Sequence, residues 1–255
     1  MKIKDIINFL EKKFPLDLQE DWDNSGLQIG NVENDLKNIM ISLDLDDQTI
    51  EKAKKKTCNL IINHHPLIFS PIKSIDFRKD YNKKIEELIK NDICVYAMHT
   101  NLDIGEGGVN DNLAKTLELK KISNLDTENQ TPMARFGFVD EISSADFSEF
   151  VKEKLKCKGL ILYGNKDKKI KKVALCGGAG SEFIKDAIDK NCDLILTSDV
   201  KYHEALDNYK KINIIDPGHF ASENHVIYML KDLLENHFAT GIYTYSQEDS
   251  FREFF

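Results

Sequence analysis

The chain has 255 residues, 41% of them hydrophobic and 31% charged, with a formal net charge of -8. That length admits one or two compact domains with a sizeable core. The acidic balance disfavours non-specific binding to nucleic acid or to an anionic membrane surface, since both require a positive field.

Ile3, Ile6, Ile7, Leu10 and Phe14 have helical spacing. A polar loop, "QEDWDNSGLQIG" (19–30), follows. "NIMISLDL" (38–45) reads as a strand, and Asp46 or Asp47 then caps a helix through about Lys56. The pattern continues with the strand "NLIINHH", a helix over 78–90, the strand "DICVYAMHT" (92–100) and a helix over 107–119. The least structured stretch is "KKISNLDTENQTP" (120–132), the best candidate for a domain crossing.

The second half repeats the rhythm. "MARFGFVDE" (133–141) is a strand and 144–156 a helix; "LILYGN" and "KKVALCGG" are strands. A helix over 181–191, the strand "CDLILTSD" (192–199), a short helix over 202–209 and the strand "INIIDPG" (212–218) come next. One long helix over 222–237 and a last strand, "GIYTYSQ" (241–247), end the series. Alternating strands and helices indicate an α/β protein with parallel or mixed sheets.

The five cysteines, Cys58, Cys94, Cys157, Cys176 and Cys192, are odd in number and form no CxxC pair, which suits reduced thiols in a cytoplasmic protein. "MKIKDIINFLEKKF" lacks the apolar region of a signal peptide, and no apolar run approaches a membrane span. The lysine runs "EKAKKK" (51–56) and "KDKKIKK" (166–172) read as solvated faces.

In α/β sheets, functional groups gather where strands end. Five of the seven histidines follow predicted strands: His64 and His65, His99, His203 and His219; His225 and His237 fall within the last long helix. A single such histidine is more often hydrogen-bonded structure than a ligand, but a cluster with carboxylates suits Zn, Mn, Fe or Ni. His219 and Glu223 are four apart, so on a helix they share a face. Adjacent His64 and His65 point oppositely while in a strand. At a strand end, with Pro66 stopping the ladder, they can diverge toward two neighbouring ions, and Glu223 or Asp103 could bridge them. The glycine turn "LCGGAGS" (175–181) can cradle an anion on backbone N–H groups, but it lacks the Walker A and GxGxxG spacings, and a tight strand–helix turn is the preferred reading. "DWDNSG" (21–26) surrounds the only tryptophan with polar groups and reads as a loop at the mouth of a site or a capped turn.

"DWDNSGLQIG", "INHHPLIF", "HTNLD", "GGAGS", "TSDVKYHEAL" and "DPGHFASE" occur in that order, from about residue 21 to 223. The set resembles the GTP cyclohydrolase 1 type 2 family, also called YbgI-like proteins. The resemblance implies two similar three-layer α/β domains with mixed sheets, a metal site in the cleft between them, and a toroidal homohexamer built as a trimer of dimers. It implies two divalent ions (Zn, Fe, Mn or Ni) held by His64, His65, Asp103, His219 and Glu223, with His99 and His203 nearby as proton-transfer or substrate-contacting groups. "MARFG" departs from the more glycine-rich pattern expected there. The corresponding domains are 1–125 with 214–255, and 126–213. The expected activity is metal-dependent hydrolysis of a nucleotide or phosphate-containing small molecule, without membrane or nucleic-acid partners. The alternative is a non-catalytic metal-binding hexameric scaffold or a regulatory partner-binding protein. Five side chains for two ions leave coordination positions open, which favours catalysis.

Overall fold

A computed structural model describes residues 1–125 and 132–247. In chain order the elements are α1 (Ile3–Lys13), β1 (Gly26–Ile29), β2 (Asn38–Ser42), α2 (Asp47–Lys55), β3 (Cys58–Asn63), α3 (Asp80–Lys90), β4 (Cys94–Ala97), α4 (Thr100–Ile104), α5 (Val109–Thr116), β5 (Lys120–Asn124), β6 (Arg135–Ser143), α6 (Ser144–Leu155), β7 (Ile161–Tyr163), β8 (Lys169–Ala179), α7 (Ile184–Asp189), β9 (Leu194–Ser198), α8 (Tyr202–Asn208), β10 (Asn213–Asp216), α9 (His219–Glu223), α10 (Val226–Glu235) and β11 (Gly241–Tyr245). The chain divides into two compact units. The first is Met1–Gly105 with the segment from Val226 to Gln247, and the second is Glu106–His225.

In the first unit a five-stranded sheet runs β1-β4-β3-β2-β11. β4, β3, β2 and β11 are parallel, and β1 closes one edge antiparallel, pairing Gly26 with Ala97. β3 is buried at every position, as expected for a strand covered on both faces. On one face Met40, Ile61 and Val95 pack with Ile50 and Ala53 of α2 and Leu88 of α3. On the other the Tyr96 hydroxyl donates to Glu11 of α1 at 3.0 Å. Asp46 caps α2, its carboxylate accepting the Thr49 N–H at 2.6 Å.

The second unit holds a six-stranded mixed sheet, β5-β6-β8-β9-β10-β7. β8, β9 and β10 are parallel neighbours, and the other pairings are antiparallel. Val173, Leu175, Leu194 and Leu196 face α5 and α6 through Leu113, Leu117, Phe147 and Val151. The alternate residues Ala174, Cys176 and Ile195 face Ile184 and Ala187 of α7. The period-2 alternation of β8 thus feeds two cores at once, giving helices on both faces of the sheet.

Several expectations are corrected. The loop over 19–30 contains β1. The stretch over 120–132 begins with β5, which pairs with β6; its residues 126–131 lie outside the described residues. Residues 106–125 and 214–225, assigned from sequence to the first domain, pack in the second unit, because β5 adds to β6 and β10 lies between β9 and β7. The helix expected over 222–237 is two helices, α9 and α10, with His225 in the break: its Nε2 donates to the Ser222 carbonyl (2.9 Å) and its Nδ1 accepts from Asn112 (2.7 Å).

Candidate metal centre

In the first unit the carboxyl ends of parallel strands deliver the side chains. β3 ends at Asn63, opposite Ala97 of β4. The His64 and His65 amides then both donate to the Leu43 carbonyl, at 3.1 and 3.0 Å, so the chain leaves the sheet with both residues fixed. Beyond β4, His99 is the N-cap of α4, and Asp103 sits buried within that helix. Because β1 is antiparallel, the loop before it, Asp23–Ser25, reaches the same edge.

One donor atom from each of His64, His65 and His99 lies within 4.8 Å of the others. His64 Nε2 stands 3.6 Å from the Asp103 carboxylate. The two adjacent imidazole rings lie with centroids 5.0 Å apart and planes at 41°. This spacing suits one shared ion or two ions roughly 3.5–4 Å apart.

Each ring is oriented through Nδ1. His64 Nδ1 lies 2.6 Å from the Met98 carbonyl, His65 Nδ1 2.7 Å from Asp44 Oδ1, and His99 Nδ1 2.7 Å from Asp23 Oδ1. Carbonyl and carboxylate oxygens only accept, so Nδ1 carries the proton and a neutral ring keeps its lone pair on Nε2. This is the tautomer a metal-ligating histidine needs, and the arrangement by which its orientation is usually fixed.

Asp23 is the most heavily used of these anchors. Beyond His99 it accepts from the Asn24 N–H (2.7 Å), the Ser25 hydroxyl (2.9 Å), and the Thr100 N–H and hydroxyl (3.0 and 2.5 Å). Burial opposes its ionisation, but the hydrogen bonds from the His99 ring, from Thr100 and from the Asn24 amide together hold its carboxyl far below the usual carboxylate range.

In the second unit β10 ends at Asp216, and Gly218, at φ 87°, turns the chain into α9. One helical turn then brings His219 Nε2 to 3.0 Å from Glu223 Oε2. Asp199, which follows β9 in the left-handed region at φ 55°, holds His219 Nδ1 at 2.6 Å. This repeats the carboxylate–imidazole arrangement of the first unit. Gly178, at φ 62° in β8, leaves room for the Glu223 carboxylate.

The glycine run is no anion cradle. The Gly177 N–H donates to Asn110 Oδ1 (2.7 Å), that of Gly178 to the Ser222 hydroxyl (2.9 Å) and that of Gly180 to the Thr197 hydroxyl (2.9 Å). Its amides are spent on side chains. His203 is exposed at the start of α8, its ring edge-on to Tyr202 at 5.2 Å. His237 bonds the carbonyl of Leu233, four residues earlier, through Nδ1 (2.8 Å) and packs on Phe9. Nδ1 anchoring therefore occurs outside the donor set too, and what distinguishes the set is convergence of donor atoms. The anchors Asp23, Asp44 and Asp199 were not singled out as such from sequence; the only signals were the polar loop "DWDNSG" and the positions of Asp44 and Asp199 just after strands.

Residues 1–249 match the family described as Duf34/NIF3 (NGG1p interacting factor 3). The chain belongs to the Duf34/NIF3 family. Among its relatives, a GTP cyclohydrolase 1 type 2 homolog of Clostridium acetobutylicum is 36% identical, over 92% of this chain and 90% of its own length. Another of the same name, from Clostridium perfringens, is 38% identical over 88% of this chain and 87% of its own length. The crystal structure of a Staphylococcus aureus hypothetical protein superposes with a TM-score of 0.92 at 28% identity, covering 100% of this chain and 99% of that one. A Duf34/NIF3 fold thus carries His, Asp and Glu groups able to hold metal. Among the described residues no helix is long and apolar enough to cross a membrane.

Proposed function

We propose that this chain is a metal-dependent hydrolase whose ligands for two divalent ions are His64, His65, Asp103, His219 and Glu223. The observation that carries the reading is the convergence of three imidazole donor atoms in the first unit and the pairing of an imidazole with a carboxylate in the second, each ring tied through Nδ1 to an oxygen acceptor. The donor set fits the ions: imidazole nitrogen with carboxylate oxygen suits Zn, Fe, Mn or Ni. Five side chains for two ions leave positions for water and substrate, as catalytic sites do.

Bound divalent ions supply Lewis acidity and lower the pKa of water toward neutrality. His65 and His219 present Nε2 while Asp44 and Asp199 hold their rings. Asp23 holds His99 in the tautomer that can accept a proton at Nε2, the role of a general base beside the reacting group. His203 is the weaker candidate for proton transfer. A nucleotide or other phosphate-containing small molecule is the proposed substrate class, supported by the relatives' GTP cyclohydrolase name. A cytoplasmic toroidal homohexamer, a trimer of dimers, completes the proposal and rests on family resemblance.

The test is elemental analysis and anomalous scattering on protein purified without chelator, together with hydrolysis assays. Two metal equivalents per chain are expected, and His65→Ala and Glu223→Ala should lose metal and hydrolysis together. Hydrolysis by the metal-free variants would refute the proposal. Full metallation without turnover across nucleotides and phosphate esters would favour the non-catalytic scaffold.

A further inference from the structure

We infer that Trp22 and Phe69 form the seat of a planar heteroaromatic ring that carries an anionic group. Both side chains are large, apolar and more than half exposed, at 58% and 51%. They lie side by side, with ring centroids 6.0 Å apart and planes at 55°. Both are edge-on to His99, at 6.0 and 6.3 Å, and His99 is 5.3 and 5.6 Å from the rings of His64 and His65. The aromatic pair therefore borders the imidazole donors directly.

Two hydrogen bonds join the segments that carry the pair. Asn24 Nδ2 donates to the Ile68 carbonyl at 2.5 Å, and the Ile68 N–H donates to Gln28 at 3.0 Å. The Trp22 loop and the Phe69 segment are thereby tied together, so the platform is preformed. Phe69 also borders a cavity of about 410 Å³. The charged residues lining that cavity are Lys73 and Lys79, both cationic, in a chain of net charge -8. An exposed aromatic face stacks with flat π systems, and ammonium groups attract an anion. A protein partner would favour a broad apolar surface. Here the Trp22–Phe69 pair is bounded by imidazoles and by a cavity lined by two lysines and Tyr81, which fits one small ring-bearing anion. The inference depends on the proposed hydrolysis only in making this occupant the substrate, since ring binding itself needs no turnover.

Trp22 is the only tryptophan, so emission excited selectively over tyrosine reports this seat alone. Metal-replete protein, its metal content measured in the same sample, is titrated with AMP, UMP, adenosine and ribose 5-phosphate. Saturable quenching by AMP or UMP is expected, weaker quenching by adenosine, and none by ribose 5-phosphate. Phe69→Leu keeps apolar bulk without the π face and should weaken AMP binding by roughly five- to a hundredfold. Lys73→Ala combined with Lys79→Ala should weaken AMP but not adenosine. The seat is overturned if neither nucleotide quenches saturably, or if Phe69→Leu binds AMP unchanged. Saturable AMP binding without hydrolysis of any ester would sink the hydrolase reading and leave the seat standing. Metal-dependent hydrolysis with unaltered AMP binding in Phe69→Leu would do the reverse.

Discussion

The carboxylate of Glu223 occupies the space that a Cβ on Gly178 would need. Gly178 also adopts φ 62°, a conformation costly for residues with side chains. A Gly178→Ala substitution must therefore both strain β8 and push Glu223 away from His219. The backbone cost is roughly 1–3 kcal/mol. The expected outcome is a lowered melting temperature together with reduced metal retention after dialysis. Retention equal to the parent protein would show that Glu223 tolerates displacement.

Asp44 and Asp199 each hold the Nδ1 edge of an imidazole, and both are substantially exposed. Their replacement should spare the fold while loosening His65 and His219. Loss of such an orienting carboxylate costs roughly 10–100-fold in metal affinity. Asp44→Ala and Asp199→Ala should show that loss in competition with a chromophoric chelator, with melting temperatures in chelator unchanged. Unaltered affinity in both would mean the rings are held well enough by backbone alone.

Much of this arrangement is legible in the sequence, because strand ends followed by histidine mark the edge where α/β proteins do chemistry. His64, His65, His99, His219 and Glu223 stand at such ends. β1 was hidden because it is only four residues long, its register shifts between Leu27 and Ile29, and glycines of positive φ begin and follow it, Gly26 at φ 107° and Gly30 at φ 110°. Its existence depends on β4, which is remote in sequence. The division of the last helix was hidden because no glycine or proline marks it; His225 breaks the chain by bonding Ser222 and Asn112. The anchoring aspartates lack any periodicity. Their role appears only when parallel strands bring separate loops to one edge.

The cysteines make a separate prediction. Burial pushes the Cys58 thiol up to about 12 and that of Cys192 up to about 11, and it also raises those of Cys94 and Cys157. A raised pKa leaves the thiol protonated near neutral pH, whereas the thiolate is the reactive form. Cys157, the only one not fully buried, should react first. Native protein should therefore release at most one equivalent from a disulfide reagent, and all five after denaturation. Rapid release of several equivalents from native protein would contradict this burial pattern.

Arg135 makes the last prediction. Its side chain is almost wholly buried, with Nε donating to Asp111 Oδ1 at 2.6 Å and Nη1 to the carbonyls of Pro132 and Met133 at 2.7 and 2.9 Å. One guanidinium thus joins α5 to the start of β6. Removing one partner of a buried ion pair costs roughly 3–5 kcal/mol, because the other charge stays buried without it. Arg135→Met should lower the urea midpoint by that order. Arg135→Lys should recover only part of the loss, since a single ammonium cannot reproduce the fork that serves a carboxylate and two carbonyls together. Full recovery by lysine would show that charge alone, and not the geometry of the guanidinium, stabilises this junction.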